Sequence, residues 1–196
     1  MEYNYKTPVG PPALYDYCAG LQLSILFNYG LRANHKILDF GCGSLRLGRL
    51  LIQYLDDGNY YGIEPDKKLV EEGIKNNHLG ELIEAKTPRL HYSGDCDMDY
   101  FNVKFDYIIA YSIFTHMPIE QVEKSLASAY GAMRKETIFL ATYFEGKRDN
   151  SLKDWTGNGI FYKPHSMFNI IRKANLIPLR LNLTNVGGQV WLLIRK

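Results

Sequence analysis

Apolar and polar residues alternate along the chain in short blocks that predict strands and helices in turn. Apolar runs predict buried strands near 36–40, 59–63, 105–111 and 137–143, with a shorter strand near 89–92. Helices are predicted near 45–55, from Asp66 onward, over 119–133 and over 164–174. Between Gly80 and Pro88 the residues predict a loop. The regular exchange of strand and helix favours a mostly parallel sheet with helices on both faces.

The two ends of the chain depart from this alternation. Residues 7–12 form a proline-rich, extended lead-in to a helix predicted over 13–29. At the other end, strands near 177–184 and 188–195 flank Asn185-Val186-Gly187-Gly188, which predicts an antiparallel hairpin. The weakly patterned segment 149–162 has the composition of a functional loop.

The most informative feature is the strand Ile37–Phe40, which runs directly into the turn Gly41-Cys42-Gly43-Ser44. Glycines at such a turn allow a ligand to approach the backbone closely, because no Cβ is in the way. Glu64 follows Gly43 by 21 residues, at the tip of the next predicted strand. An acid in that place can accept hydrogen bonds from both hydroxyls of a ribose. The pattern therefore indicates a nucleoside cofactor.

Two residues decide against a nicotinamide cofactor. Arg46 stands where the third glycine of a G-x-G-x-x-G turn would pack the helix on the strand. Asp39 precedes the first glycine by two residues, where its carboxylate would repel a pyrophosphate and would suit a cationic group. A nicotinamide oxidoreductase is thus disfavoured.

The segment Asp39-Phe40-Gly41-Cys42-Gly43-Ser44 resembles motif I of the class I S-adenosylmethionine-dependent methyltransferases. Three further segments resemble the second, third and fourth motifs of that family in the same order, over about residues 37–143: Gly62–Asp66, Ser93–Cys96 and Phe105–Ser112. The resemblance implies a Rossmann-like, doubly wound, seven-stranded sheet of order 3-2-1-4-5-7-6. It also implies S-adenosylmethionine as the cofactor.

The resemblance assigns a role to most residues of these motifs. Asp39 is expected to help hold the ammonium end of the cofactor, and the glycine turn to present its backbone. Glu64 is expected to bind the ribose. The Asp95 carboxylate and the Cys96 amide are expected to meet the adenine, and Tyr111 to offer its carbonyl near the methionine part. The residues predicted to bind the cofactor are Asp39, Gly41, Cys42, Gly43, Glu64, Pro65, Asp95, Cys96 and Tyr111.

His116 is the predicted catalytic residue, because a histidine near neutral pH can accept a proton from a hydroxyl or an ammonium. It lies in Phe114-Thr115-His116-Met117, a string that resembles one common in small-molecule members of the superfamily. Capping of the next helix is the structural alternative. Tyr143 and Glu145, after the fifth strand, are further candidates for the base.

The sequence thus predicts a methyltransferase that transfers a methyl group to oxygen or nitrogen of a small-molecule or glycan-type acceptor. Enzymes of the superfamily that methylate DNA adenine or glutamine side chains carry Asn/Asp-Pro-Pro-Tyr after the fourth strand. This chain has Tyr111-Ser112-Ile113-Phe114 there, which argues against those substrates. The aromatic residues Trp155, Phe161 and Tyr162 are candidates to line the acceptor site. The alternative is a non-catalytic S-adenosylmethionine-binding or nucleoside-binding protein of the same fold.

The length of 196 residues favours a single methyltransferase domain over 1–196. Within it we expect four parts, which are an N-terminal lid segment and helix (1–30), the cofactor-binding core (36–145), a possible substrate loop (146–163) and a terminal helix with the hairpin (164–196).

Composition limits the classes of partner that we expect for this chain. A net charge of +2 without a long basic run gives no reason to expect nucleic acid. The three widely spaced cysteines fit reduced thiols in a cytoplasmic protein, and no Cys/His spacing predicts a metal site. We see neither a signal peptide nor an apolar run long enough to cross a membrane, so no membrane partner is expected.

Overall fold

The computed structural model describes residues 4–150, 159–183 and 185–196. These residues fall into two compact units, one that ends at Gly94 and one that runs from Asp95 to Lys196. The prediction of one domain over the whole chain stays a prediction.

The first unit alternates strands and helices as the sequence predicts. Its elements are α1 (Tyr15–Asn28), β1 (Ile37–Phe40), α2 (Gly48–Tyr54), β2 (Tyr60–Ile63), α3 (Lys67–Asn76), α4 (Gly80–Lys86) and β3 (Arg89–His91). Two short 3-10 turns, Thr7–Val9 and Pro12–Leu14, precede α1. The strands lie in the order β3-β2-β1 and all pair in parallel.

The pairing of β1 with β2 positions the site of this unit. Both strands are buried along their whole length, as expected for continuous apolar runs in a parallel sheet. Asp39 pairs with Gly62 and Phe40 with Ile63, so the two strands end side by side. The turn after β1 and Glu64 after β2 therefore lie at the same edge of the sheet. Asp66 then begins α3, and its carboxylate accepts a hydrogen bond from the Leu69 N–H at 3.1 Å.

The predicted loop between Gly80 and Pro88 is wrong, because the structure has helix α4 there. The segment between those two residues contains Glu, Leu, Ala and Lys, which are good helix formers, although it makes only two turns. Thr87 ends the helix in the left-handed region at φ 44°, with its N–H donating to the Ile83 carbonyl.

The second unit continues the alternation and ends in the hairpin. Its elements are β4 (Phe105–Ala110), α5 (Ile119–Ala132), β5 (Met133–Glu145), β6 (Phe161–Tyr162), α6 (Pro164–Lys173), β7 (Ile177–Arg180) and β8 (Gln189–Arg195). The strands lie in the order β4-β5-β8-β7, and β6 pairs with β5. β4 and β5 are parallel, whereas β8 is antiparallel to both β5 and β7.

The two units confirm the predicted Rossmann-like α/β fold with mostly parallel strands and a terminal antiparallel hairpin. The order within each unit is the predicted one, with β8 and β7 in the places of strands 7 and 6. The two-residue strand β6 is additional to the seven predicted strands. β7 ends at Arg180, earlier than predicted, and the hairpin connection includes the 3-10 turn Val186–Gly188.

Candidate active site

The turn that follows β1 bends sharply around its two glycines. Gly41 and Gly43 have φ of 78° and 54°, in the left-handed region that residues with a side chain rarely adopt. The N–H groups of Gly41 and Cys42 both donate to the Ile63 carbonyl, at 2.8 and 3.1 Å. The turn is therefore fastened to the end of β2 through backbone groups.

Glu64 joins the same turn through its side chain. Its Oε2 accepts a hydrogen bond from the Gly43 N–H at 3.0 Å, and its Oε1 accepts one from the Asp66 N–H at 3.1 Å. Burial raises the pKa of Glu64, while these two backbone donors act in the opposite direction. The predicted ribose-binding acid thus also holds the glycine turn in place.

Asp39 lies beneath the turn, at the end of β1. Only 5% of its surface is exposed, and its Oδ2 accepts a hydrogen bond from the Tyr60 hydroxyl at 2.8 Å. Burial raises its pKa from 3.8 to about 7, and the negative charge of Glu64 adds to that rise. The Tyr60 hydroxyl and the nearby Arg46 guanidinium oppose it.

Tyr60 reaches Asp39 because Gly48 leaves room for it. A Cβ at Gly48 would lie 2.5 Å from the Tyr60 Oη, inside any normal contact distance. Sequence reasoning missed Tyr60, since an aromatic residue at the start of a buried strand reads as core. Its role depends on a partner 21 residues away.

The N-terminal residues cover the turn within this unit. Val9 packs directly against Gly43, so that a Cβ at Gly43 would overlap the Val9 side chain. The Arg46 guanidinium donates to the Val9 carbonyl. The Tyr15 hydroxyl donates to the Ser44 carbonyl at 3.2 Å, and Tyr15 is itself buried. We call residues 4–15 the N-terminal strap.

These groups make the turn suitable for a positively charged ligand. Asp39 and Glu64 are two carboxylates at one turn, each with a raised pKa, so an added cation would relieve the cost of ionising them. A phosphate placed there would instead increase the cost of ionising these two carboxylates, because like charges repel. The arrangement fits the amino-acid and ribose end of the cofactor that the motif resemblance implies. Pro65 follows Glu64 after the end of β2, and its role toward the cofactor stays a prediction.

The second unit carries the other predicted cofactor residues. Asp95 is exposed, and Cys96 is buried with φ 57°. Ser128 of α5 holds this corner, because its Oγ accepts from the Met98 N–H at 2.9 Å and lies 3.2 Å from the Cys96 carbonyl oxygen. Tyr111 is buried after β4, and its hydroxyl donates to Asn185 Oδ1 at 3.0 Å. Their roles toward the adenine and the methionine part stay predictions.

His116 lies in the irregular segment between β4 and α5. Ser112 turns the chain at φ 61°, and the His116 N–H donates to the Ile113 carbonyl at 3.0 Å. The half-buried imidazole meets the edge of the Phe144 ring, with 6.4 Å between centroids. α5 begins after Pro118, which is its N-cap residue. The catalytic role of His116 and the alternative of helix capping both stay predictions.

Tyr143 and Glu145 belong to the other face of β5. Side chains alternate along a strand, so these two point away from the face that carries Phe144. The Tyr143 hydroxyl lies 3.2 Å from Glu145 Oε2, which also pairs with Arg180 at 3.1 Å. Burial, followed by the charge of Glu145, raises the pKa of Tyr143. Both side chains therefore make these contacts on the face of β5 opposite to Phe144, which is the residue that His116 meets.

A family model described as "Methyltransferase domain" matches residues 38–139, just over half of the chain. The chain belongs to this methyltransferase family. The assignment confirms the predicted class I S-adenosylmethionine-dependent methyltransferase. The matched region begins within β1 and ends within β5, so it includes the glycine turn, Glu64 and the segment with His116.

Solved structures of similar fold cover nearly all of the chain. An S-adenosylmethionine-dependent methyltransferase from Clostridium acetobutylicum ATCC 824 has a TM-score of 0.67 at 13% identity, covering 99% of this chain and 92% of that one. Magnesium protoporphyrin IX methyltransferase from Synechocystis PCC 6803 has a TM-score of 0.69 at 16% identity, covering 100% and 86%. The glycopeptide N-methyltransferase MtfA has a TM-score of 0.67 at 8% identity, covering 89% and 92%. At these identities the similarity shows the fold.

Among the described residues, no helix combines the length and the apolar character that crossing a membrane requires. The same residues contain no cluster of His, Cys, Asp or Glu that could hold a metal ion. The predicted aromatic residue Trp155 lies outside the described residues.

Proposed function

We propose that this methyltransferase transfers the methyl group of S-adenosylmethionine to an oxygen or nitrogen atom of a small-molecule or glycan-type acceptor. The observation that carries the proposal is the glycine turn, with Glu64 bonded to its Gly43 N–H and the Asp39 carboxyl buried beneath it. When bound, the cofactor supplies an electrophilic methyl group on a sulfonium. The protein then has to orient the two reactants, exclude water and accept a proton.

The chain's own residues divide this work. We assign the ammonium end of the cofactor to Asp39, its ribose to Glu64 and its adenine to Asp95 and Cys96. The strap excludes water from the turn through Val9, whose side chain lies against Gly43. We assign proton removal from the acceptor to His116. The cytoplasmic location stays a prediction from the cysteine pattern.

The decisive test is a screen of acceptor pools with isotope-labelled S-adenosylmethionine, read as label in a product. Transfer that depends on the protein supports the proposal. Tight binding of S-adenosylhomocysteine in calorimetry, without transfer to any pool, would favour the non-catalytic alternative. Absence of binding would overturn the assignment of the glycine turn.

Glu64→Gln should weaken S-adenosylhomocysteine binding about tenfold or more. A hydrogen bond to a charged group contributes about 1.5–3 kcal/mol, and the amide can no longer accept at both of its ends. Calorimetry on the purified variant measures the change. Asp66→Asn is the matched control, because it removes an acid at the same strand tip and keeps a good helix cap. Equal affinities of Glu64→Gln and the wild type would contradict the ribose assignment.

The affinity for S-adenosylhomocysteine should increase as the pH rises from about 6 to 7.5. Asp39 is largely protonated below its pKa of about 7, and an ammonium group favours the ionised form. The raised pKa of Asp39 also makes the free protein lose stability as the pH rises over this range. The proton on native Asp39 contributes its full stabilisation below pH 3.8 and none above about pH 7. Calorimetry at several pH values measures the first effect, and thermal melts measure the second.

Asp39→Asn is the control for this pH dependence. The variant should bind S-adenosylhomocysteine more weakly at pH 7.5 and should show a flatter affinity profile between pH 6 and 7.5. A wild-type profile without any slope would show that Asp39 does not meet the ammonium group.

A further inference from the structure

Two hydrogen bonds from the segment around β6 hold the residues on either side of His116. The Ile160 N–H donates to the Thr115 carbonyl, and the Tyr162 hydroxyl donates to the Met117 carbonyl, each at 2.7 Å. Thr115 and Met117 come directly before and after His116, and both are buried, whereas His116 is half-buried. The two bonds therefore fix the backbone on both sides of the proposed base.

The segment that makes these bonds is itself fastened to β5 and α6. β6 pairs in parallel with the end of β5, and the Tyr162 carbonyl accepts from the Gly146 N–H at 3.0 Å. The Asp149 carboxylate accepts from the Lys163 N–H at 2.7 Å and from the Ser166 hydroxyl at 2.9 Å, at the first turn of α6. Residues 160–162 thus form a bridge from the end of β5 to the two residues that flank the proposed base.

An aromatic contact restrains the imidazole as well. The His116 ring meets the Phe144 ring at 6.4 Å between centroids and an interplanar angle of 81°, and Phe144 stacks on Phe161 at 5.1 Å and 21°. Gly159 leaves room for this arrangement, because a Cβ there would lie 2.5 Å from the Phe144 ring. The segment therefore acts on His116 through the backbone on both sides of it and through the rings beside its side chain.

Tyr162 contributes to this arrangement through its hydroxyl group. Only 3% of its surface is exposed, so the ring is part of the core and the hydroxyl finds its partner in the Met117 carbonyl. Burial raises the pKa of Tyr162, and the charges of Glu120 and Asp149 raise it further, so the hydroxyl remains a donor. The Thr115 hydroxyl is buried without a partner among the described residues, so it does not share in holding the segment.

We infer that Tyr162 is a positioning residue for methyl transfer: through the Met117 carbonyl it fixes the direction in which the His116 imidazole points. This inference rests on the proposed function, in which His116 accepts a proton from the acceptor. A base has to lie within hydrogen-bonding reach of that proton, so a small change in its direction slows the reaction. Without the Tyr162 hydroxyl the Met117 carbonyl loses this buried donor, and the residues around His116 are free to shift.

The imidazole signal of His116 tests the inference without an acceptor. The chain has five histidines, and His116→Asn identifies the Cε1–Hε1 signal of His116 in a carbon-proton correlation spectrum. Tyr162→Phe should move or split that signal and leave the signals of the other histidines in place. A His116 signal that does not respond to Tyr162→Phe would overturn the inference.

Tyr143→Phe is the matched control for the spectrum. It also removes the hydroxyl of a buried tyrosine that has a hydrogen-bond partner, but Tyr143 lies on the face of β5 opposite to Phe144. The control should lower Tm in a comparable way and leave the His116 signal unchanged. An equal change of that signal in both variants would reduce Tyr162 to a structural role and contradict the inference.

Asn150→Ala serves as the second variant if Tyr162→Phe does not fold. Asn150 is exposed, and its side chain accepts from the Phe161 N–H and donates to the Gly159 carbonyl at 3.3 Å. Its loss loosens the segment that carries Tyr162 without changing the core, so the His116 signal should move as well. In that case, an unmoved signal is the result that overturns the inference.

Kinetics with an acceptor found in the screen provide a second readout. Tyr162→Phe should lower kcat by up to about 100-fold and leave KM for S-adenosylmethionine nearly unchanged, because the substitution alters geometry and not cofactor binding. In the His116→Asn background the same substitution should have little further effect, because Tyr162 acts through His116. Losses that multiply in the double variant would show that Tyr162 acts independently, against the inference.

The inference and the proposed function fail in different ways. If the wild type transfers a methyl group but its His116 signal does not respond to Tyr162→Phe, the inference alone is wrong. If the wild type neither transfers a methyl group nor binds S-adenosylhomocysteine, both are overturned, because no transfer step remains for His116 to serve.

Discussion

Gly43→Val should abolish S-adenosylhomocysteine binding while the protein still folds. The new side chain would occupy the space where Val9 now packs and where the ligand has to approach the backbone. The residue would also be held at φ 54°, which costs about 1–2 kcal/mol for a residue with a Cβ. Calorimetry measures the binding, and a thermal melt measures the loss of stability.

Gly58→Val is the matched control for that experiment. Gly58 has φ 74°, so the backbone cost is similar, but no atom lies within 4 Å of its added Cβ. The control should therefore lose only the backbone part of the stability and keep its affinity for S-adenosylhomocysteine. If Gly43→Val binds as tightly as the wild type, the turn has only a structural role.

His116→Asn should slow methyl transfer about 100- to 10,000-fold at neutral pH, once an acceptor is in hand. Asparagine has a polar side chain of similar reach, but it cannot accept a proton near neutrality. The deficit should shrink as the pH rises, because the acceptor then ionises without help. Single-turnover rates at several pH values, with binding of S-adenosylhomocysteine measured alongside, separate chemistry from affinity.

His165→Asn provides the comparison for the catalytic variant. His165 is exposed on α6, so its loss should leave the rate unchanged. Full activity of His116→Asn at neutral pH would remove His116 from the mechanism. Positioning of the two reactants would then have to account for the rate, because Tyr143 and Glu145 are engaged on the opposite face of β5.

The parts of the site that lie close together in sequence could be predicted from it. The glycine turn and Glu64 follow from two neighbouring parallel strands, whose ends have to meet. The bond from the Gly43 N–H to Glu64 could not be read from the pattern, because it depends on the depth to which the side chain is buried. The hydrogen bond between Asp39 and Tyr60 could not be predicted either, because it forms only where Gly48 leaves room for the tyrosine ring.

Errors in the fold prediction have local causes. Helix α4 was missed because seven residues between a glycine and a proline carry too little periodicity to favour a helix. Strand β6 was missed because two residues have no alternation to detect, and it exists through pairing with β5. The register in which β8 pairs with β5, which brings Gln189 opposite Phe144, is likewise set by the tertiary fold and not by the local pattern.

The burial of Cys42 has a consequence for thiol chemistry. Cys42 lies between the two glycines of the turn, with 5% of its surface exposed, and burial raises its pKa. Only the thiolate reacts with alkylating reagents, and only when solvent can reach it. The rate of Cys42 alkylation should therefore report how often the turn opens, so that this residue can serve as a probe of local unfolding.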